Sequence, residues 1–154
     1  VDSTYFKLEI SINQALKLLD SAFKQKDIRI IQEIEPNLAM YGNANSLSQV
    51  ILSIVQNSVD IIRSMPIHDP FIHILLEKND KYILLTITDN AGGIKASSID
   101  DIFKPFHSNK IKPSTGIGLY MTKLIVENQF HGTITAYNIN EGAKFTIQLP
   151  LEIP

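Results

Sequence analysis

The stretch Thr88-Asp89-Asn90-Ala91-Gly92-Gly93-Ile94 follows an apolar, β-branched run, Tyr82-Ile83-Leu84-Leu85-Thr86-Ile87. Such a run predicts a strand. Its end carries an acid, an amide and two glycines. A carboxylate at a strand end can accept from a bound N–H group, and glycines let backbone approach a ligand closely. The same residues also suit a plain turn, because Asp and Asn bond their own backbone. Taken alone, the stretch supports the two readings equally.

On its N-terminal side, residues 71–78 pair with residues 81–89 as a hairpin around Asn79-Asp80. Pro66 and Pro70 bracket the preceding loop. A long helix is predicted from Ser46 to about Ser64, with Asn45 as its N-cap after a turn at residues 41–45. Leu47, Val50, Ile51, Ile54, Val55, Ser58, Val59 and Ile62 fall on one broad face, and Ser53, Asn57 and Asp60 share a side beside it. Further back, residues 28–34 read as a strand ended by Pro36. Ser11-Ile12-Asn13-Gln14 has the spacing of a capping box and opens a helix to about Lys26, after a short edge strand at residues 5–10.

On the C-terminal side, residues 99–103 make one helical turn. Residues 104–115 show little periodicity, with Pro105, Pro113, Lys104, Lys110 and Lys112, and read as a mobile surface lid. Gly116-Ile117-Gly118-Leu119 opens a helix to about Gln129, with Leu119, Leu124 and Ile125 among its buried residues. His131 and Gly132 stop it. Residues 133–137 and 143–149 form a last hairpin turned at Asn140-Glu141-Gly142. Helices layered on one face of a mixed sheet bury both the sheet and the helix stripes most economically.

The 154 residues suit one domain, residues 1–154, and a hydrophobic fraction of 44% can fill a core. A net charge of -2 gives no electrostatic reason to expect nucleic acid as a partner. The absence of cysteine excludes disulfides, Cys-ligated zinc and thiol nucleophiles. No apolar run is long enough for a bilayer, so direct membrane contact is not expected of this piece. The start on Val1 leads us to expect a fragment of a longer protein.

Two further stretches bear on chemistry. A mid-helix Asn57 is unfavourable on propensity. It is either a solvent-facing amide or a neutral oxygen for a hard cation such as Mg²⁺, which takes few protein oxygens when phosphates supply the rest. Gly116-x-Gly118 at a helix start exposes N–H groups that suit phosphate oxygens, with the upstream lysines either assisting or forming ordinary solvated surface. Neither the P-loop nor the Rossmann glycine pattern occurs. The four histidines, His68, His73, His107 and His131, have no metal spacing.

Together these stretches resemble the catalytic ATP-binding domain of sensor histidine kinases, the Bergerat-type ATPase fold shared with gyrase, MutL and Hsp90 relatives. Residues 47–58 look like the N box, residues 89–94 the G1 box, residues 102–110 the F box and residues 114–119 the G2 box. The closing Gly142-Ala143-Lys144-Phe145-Thr146-Ile147-Gln148-Leu149-Pro150 fits the family ending. Each box is degenerate alone, but their order and domain-sized spacing are specific.

The resemblance implies a two-layer α/β (α+β) sandwich: a mixed, mostly antiparallel five-stranded sheet, about three helices on one face, and a flexible ATP lid. It implies ATP and Mg²⁺ as cofactors. Asp89 would accept from the adenine amino group, Gly93 and Ile94 would shape that pocket, and Asn57 would ligate Mg²⁺ and serve catalysis. Thr115, Gly116, Ile117, Gly118 and Leu119 would form the phosphate-binding helix start. Phe103, Phe106 and a catalytic Lys110 would belong to the lid, and Thr146 would help line the adenine pocket through a water.

The whole protein would donate the γ-phosphoryl group of ATP to a histidine of its own dimerisation domain, for relay to the receiver domain of a response regulator. None of the histidines here has the phosphoacceptor setting, so this chain is expected to bind nucleotide as a monomer without phosphorylating itself. A cytoplasmic location follows from the resemblance, in a parent that can be membrane-anchored.

Four positions depart from the family pattern: Ser53, Asp60, Ala91 and His107. Ser53 cannot be the water-activating glutamate of the gyrase and Hsp90 relatives, which argues against intrinsic hydrolysis. Ala91 is tolerable where its φ is negative. Two alternatives follow: a regulatory module that has lost productive transfer, and a protein-serine kinase of the same fold.

Overall fold

The computed structural model describes residues 2–94, 99–104 and 118–151. Strands β2 (Arg29–Ile34), β4 (Phe71–Lys78), β5 (Tyr82–Asp89), β6 (Thr133–Ile139) and β7 (Gly142–Pro150) form one sheet in the order β2-β4-β5-β7-β6. Only β2 and β4 run parallel, and the other pairings are antiparallel. The mixed, mostly antiparallel five-stranded sheet is thus as the sequence leads one to expect.

Side chains alternate across a strand, so one face collects the apolar residues. Ile72, Ile74, Leu76, Ile83, Leu85, Ile87, Phe145, Ile147 and Leu149 all lie on that face and are buried. Helix α3 (Ala44–Ser64) lays Leu47, Val50, Ile51, Ile54, Val55, Val59 and Ile62 into the same core. Their recurrence every three or four residues is what makes the stripe continuous.

Helix α1 (Leu8–Leu18) departs from expectation at its start. The preceding strand, β1, spans Thr4–Lys7, and Lys7 caps the helix without a side-chain bond. Ser11 is fully buried one turn inside, where its hydroxyl donates to the Ala44 carbonyl at 2.8 Å. A serine suits a cap and an interhelical bond equally well, so spacing alone chose the wrong role. The helical stretch also breaks at Leu19, and α2 (Asp20–Gln25) follows as a separate segment.

The turn expected at residues 41–45 is instead the end of β3 (Ala39–Gly42), which pairs antiparallel with β1 in a small second sheet. The cap of α3 is Asn43 rather than Asn45: its Oδ1 accepts from the Ser46 N–H at 2.9 Å. In the β4–β5 hairpin the turn takes in Lys81 as well, because the Asn79 Oδ1 accepts from both the Lys81 and Tyr82 N–H at 2.9 Å.

Residues 99–103 form a 3₁₀ turn, Ile99–Phe103. Helix α4 spans Gly118–Leu124 and continues as a π-helical turn, Ile125–Gln129. Its buried residues are Thr122, Val126 and, just beyond, Phe130, whereas Leu119, Leu124 and Ile125 are only half-buried. The chain then leaves the helix through His131 at φ 55. Among the described residues no helix is long and apolar enough to cross a membrane.

Candidate functional site

Strand β5 carries Asp89 to the sheet end on the helix-covered face, where it is 3% exposed. Burial of a carboxylate is costly unless its oxygens are satisfied. Here Oδ1 accepts from the Ala91 N–H at 2.9 Å and the Ala143 N–H at 3.3 Å, and Oδ2 accepts from the Ser58 hydroxyl. A carboxylate has about four lone-pair positions. Among the described residues the protein fills three, leaving one acceptor position at Oδ2 for a ligand N–H.

The loop after Asp89 is tethered on several sides. The Asn90 side chain accepts from the Phe71 N–H at 2.8 Å and donates to the Asp69 carbonyl at 3.0 Å, which staples it to the start of β4. Gly92 and Gly93 have φ of 86 and 82, a region that side chains rarely adopt. Ala91 is buried and is not among the positive-φ residues, so alanine fits there in place of glycine. The Gly92 N–H donates to the Glu141 carbonyl at 2.9 Å, joining the loop to the β6–β7 turn. At Gly142 a Cβ would stand 1.7 Å from the Asp89 carbonyl oxygen, so only glycine lets the two backbones meet.

Asn57 precedes Ser58 in α3 and is 7% exposed. Among the described residues its side chain makes no hydrogen bond, whereas the buried side chains of Ser11, Ser58, Asp89 and Thr122 all do. A neutral amide oxygen that is buried and unpartnered fits a hard cation, so this residue fits the magnesium implied by the resemblance. One turn on, Asp60 accepts from Gln56 at 2.7 Å. Ser53 is half-buried.

The remaining expected site residues that are described lie on the 3₁₀ turn, on α4 and on β7. Phe103 is 6% exposed and packs edge-on against Phe145 at 6.4 Å, with the Lys123 ammonium 5.7 Å from its ring centre. It is a core residue beneath α4. Gly118 begins α4, its carbonyl accepts from the Thr122 hydroxyl at 2.8 Å, and a Cβ there would meet nothing within 4 Å among the described residues. Leu119 packs half-buried on the core. Lys110, Thr115, Gly116 and Ile117 lie outside the described residues, as do Phe106 and His107.

Thr146 is not brought to Asp89. Paired residues share a sheet face, and Asp89 pairs with Ala143. Thr146, three residues further, points from the opposite face, between Thr86 and Thr135. Conversely, Ser58 and Asn138 reach the site and were not expected there. Ser58 was assigned to an apolar face by periodicity, and a polar residue on such a face beside Asn57 is the signal that pointed to it.

A buried strand-end acid beside positive-φ glycines and a mid-helix orphan amide make a candidate small-ligand site on a two-layer α/β sandwich. A profile of the histidine kinase-, DNA gyrase B- and HSP90-like ATPases matches residues 42–153, and the chain belongs to that family. Within it the likeness runs to sensor histidine kinases. Sporulation kinase B of Bacillus subtilis is 32% identical over 150 residues, which cover 97% of this chain and 34% of that protein. The chain therefore spans about a third of that relative's length. The catalytic domain of histidine kinase ThkA, in a nucleotide-free form, matches in structure with a TM-score of 0.82 at 21% identity over 98% of both chains. ThkA in complex with the response regulator protein TrrA matches with a TM-score of 0.80 at 21% identity, over 97% of this chain and 42% of that one.

Proposed function

We propose that this chain binds Mg-ATP at Asp89 and is the nucleotide-binding part of a sensor histidine kinase. The observation that carries the reading is the state of Asp89: a buried carboxylate held, among the described residues, by three donors, with one acceptor position left for an exocyclic amine. Gly93 and Ile94 form the neighbouring wall of the base pocket. The start of α4 at Gly118 and Leu119, with Thr115, Gly116 and Ile117, receives the phosphates. Phe103, packed on Phe145, precedes the lid segment, to which the family resemblance assigns Lys110 as a catalytic residue. The expectation of a water-mediated role for Thr146 is not carried further, given its position on the opposite sheet face.

Asn57 is the residue that would hold magnesium. When bound, that ion supplies neutralisation of phosphate charge. The chain's own contribution is positioning and electrostatic stabilisation. Ser53, in the place of a water-activating glutamate, keeps a hydrolytic base out of the site. In the whole protein the γ-phosphoryl group passes to a histidine of the dimerisation domain and then to a response regulator. The response regulator as a partner is supported by one neighbour's description, histidine kinase ThkA in complex with response regulator protein TrrA.

Calorimetric titration of the chain with ATP, with and without Mg²⁺ and beside Asp89→Asn, tests the first step. Binding in the wild type that the variant loses is the expected result; equal binding in both removes Asp89 from the site. Transfer is tested by adding [γ-³²P]ATP to the full-length protein, with label on a histidine expected. Good nucleotide binding without any label would favour the regulatory-module reading.

A further inference from the structure

Asn138 stands on β6 opposite Ala143, which on its other side stands opposite Asp89. Paired residues share a face, so Asp89, Ala143 and Asn138 form one row across the end of the sheet. The middle member is small. The outer member, Asn138, is exposed at the sheet edge, yet its amide is engaged at both its oxygen and its nitrogen.

That amide grips the backbone of Ile94 twice. Its Oδ1 accepts from the Ile94 N–H at 2.5 Å, and its Nδ2 donates to the Ile94 carbonyl at 3.1 Å. This is the pair of bonds that a residue of an adjacent strand makes with its backbone, here made by a side chain. The same oxygen explains Gly93: a Cβ there would stand 2.9 Å from Asn138 Oδ1. Gly93 and Asn138 are thus matched, one lacking a side chain where the other needs the room.

The entry to the loop is held at Asp89 and Asn90, and its middle by the Gly92 bond to Glu141. Its exit is held by Asn138. We propose that Asn138 is a positioning residue of the nucleotide site, holding Gly93 and Ile94 where they close around a base bound at Asp89. This rests on the nucleotide reading given above. Asn138 touches no reacting atom; it acts through the backbone of Ile94.

The test uses Asn138→Ala and Asn138→Asp in the 154-residue chain. Amide hydrogen exchange is read without nucleotide, and ATP affinity is read by calorimetry. In Asn138→Ala the Ile94 amide is expected to exchange faster while Leu85 and Ile87 in β5 keep their protection. ATP is expected to bind roughly three- to tenfold more weakly, the scale of one or two net hydrogen bonds. Asn138→Asp keeps the acceptor for the Ile94 N–H but sets a charge against the Ile94 carbonyl, so its Ile94 protection is expected to be intermediate. If Asn138→Ala fails to fold, Asn138→Asp carries the same readouts.

A loss of protection throughout the sheet would mean a general structural role and overturn the proposal. So would unchanged Ile94 exchange, or unchanged affinity in a chain whose wild type binds ATP and whose Asp89→Asn variant does not. If the wild type binds no ATP, the nucleotide reading itself fails and this proposal falls with it.

Discussion

Ser58 donates its hydroxyl proton to Oδ2 of Asp89, joining the middle of α3 to the end of β5 in a region closed to solvent. Removing the hydroxyl leaves a buried carboxylate oxygen short of a donor. Ser58→Ala is therefore expected to destabilise the chain by about 1–3 kcal/mol, the cost of an unsatisfied buried acceptor. A lowered urea midpoint with an unchanged m-value checks this.

Asp89→Asn is expected to fold and to lose the ligand. The Asn oxygen can take the Ala91 and Ala143 N–H bonds, while its NH₂ turns to the Ser58 oxygen, which can accept. The position left for a ligand amine then presents a donor to a donor. Affinity for ATP is expected to fall by roughly ten- to a hundredfold, the scale of a hydrogen bond to a charged group. A melting temperature close to wild type, measured on the same sample, separates this from misfolding.

Asn57→Leu gives opposite signs for stability and binding. The side chain is buried and unpartnered among the described residues, so an apolar group of similar size removes a desolvation cost. Without nucleotide, the variant is expected to be as stable as wild type or up to about 1 kcal/mol more stable. Its ATP affinity is expected to lose dependence on Mg²⁺. A clear drop in melting temperature without nucleotide would mean that the amide has a structural partner instead.

Two glycines are expected to respond differently. Gly142→Ala puts a Cβ 1.7 Å from the backbone oxygen of Asp89, which no side-chain movement relieves. A destabilisation of about 3 kcal/mol or more is expected from thermal or urea unfolding. Gly118→Ala meets no described atom within 4 Å, and alanine favours a helix. It is expected to leave unfolding unchanged or slightly improved while weakening ATP binding, because phosphates must approach the start of α4. Unaltered affinity would remove Gly118 from the phosphate site.

Much of the fold was legible because its signals are local. The alternation in residues 82–89, the stripe from Leu47 to Ile62 and the glycines after Asp89 each lie within one stretch of chain. The misread features are those where one residue type serves two roles. Ser11 could cap a helix or bond a neighbouring one, and Asn43 and Asn45 are both good caps two residues apart. The short β3 was hidden in a turn-like composition and exists because β1 pairs with it. Phe103 carries a lid-like motif, yet it packs against Phe145, a residue more than forty positions away along the chain.

The sequence by itself determined the five strands of the main sheet, the long helix, and the order of Asn57, Asp89, the glycines and Gly118, since these follow from periodicity and residue chemistry along the chain. Only the tertiary structure decided that Ser58 holds Asp89, that Asn138 holds Ile94 and that Thr146 turns away. The reason is physical. Apolar burial repeats with the helix or strand period and leaves a trace in the sequence. A hydrogen bond between distant polar groups has no period, and the face a strand residue takes is set only once its register against neighbouring strands is fixed.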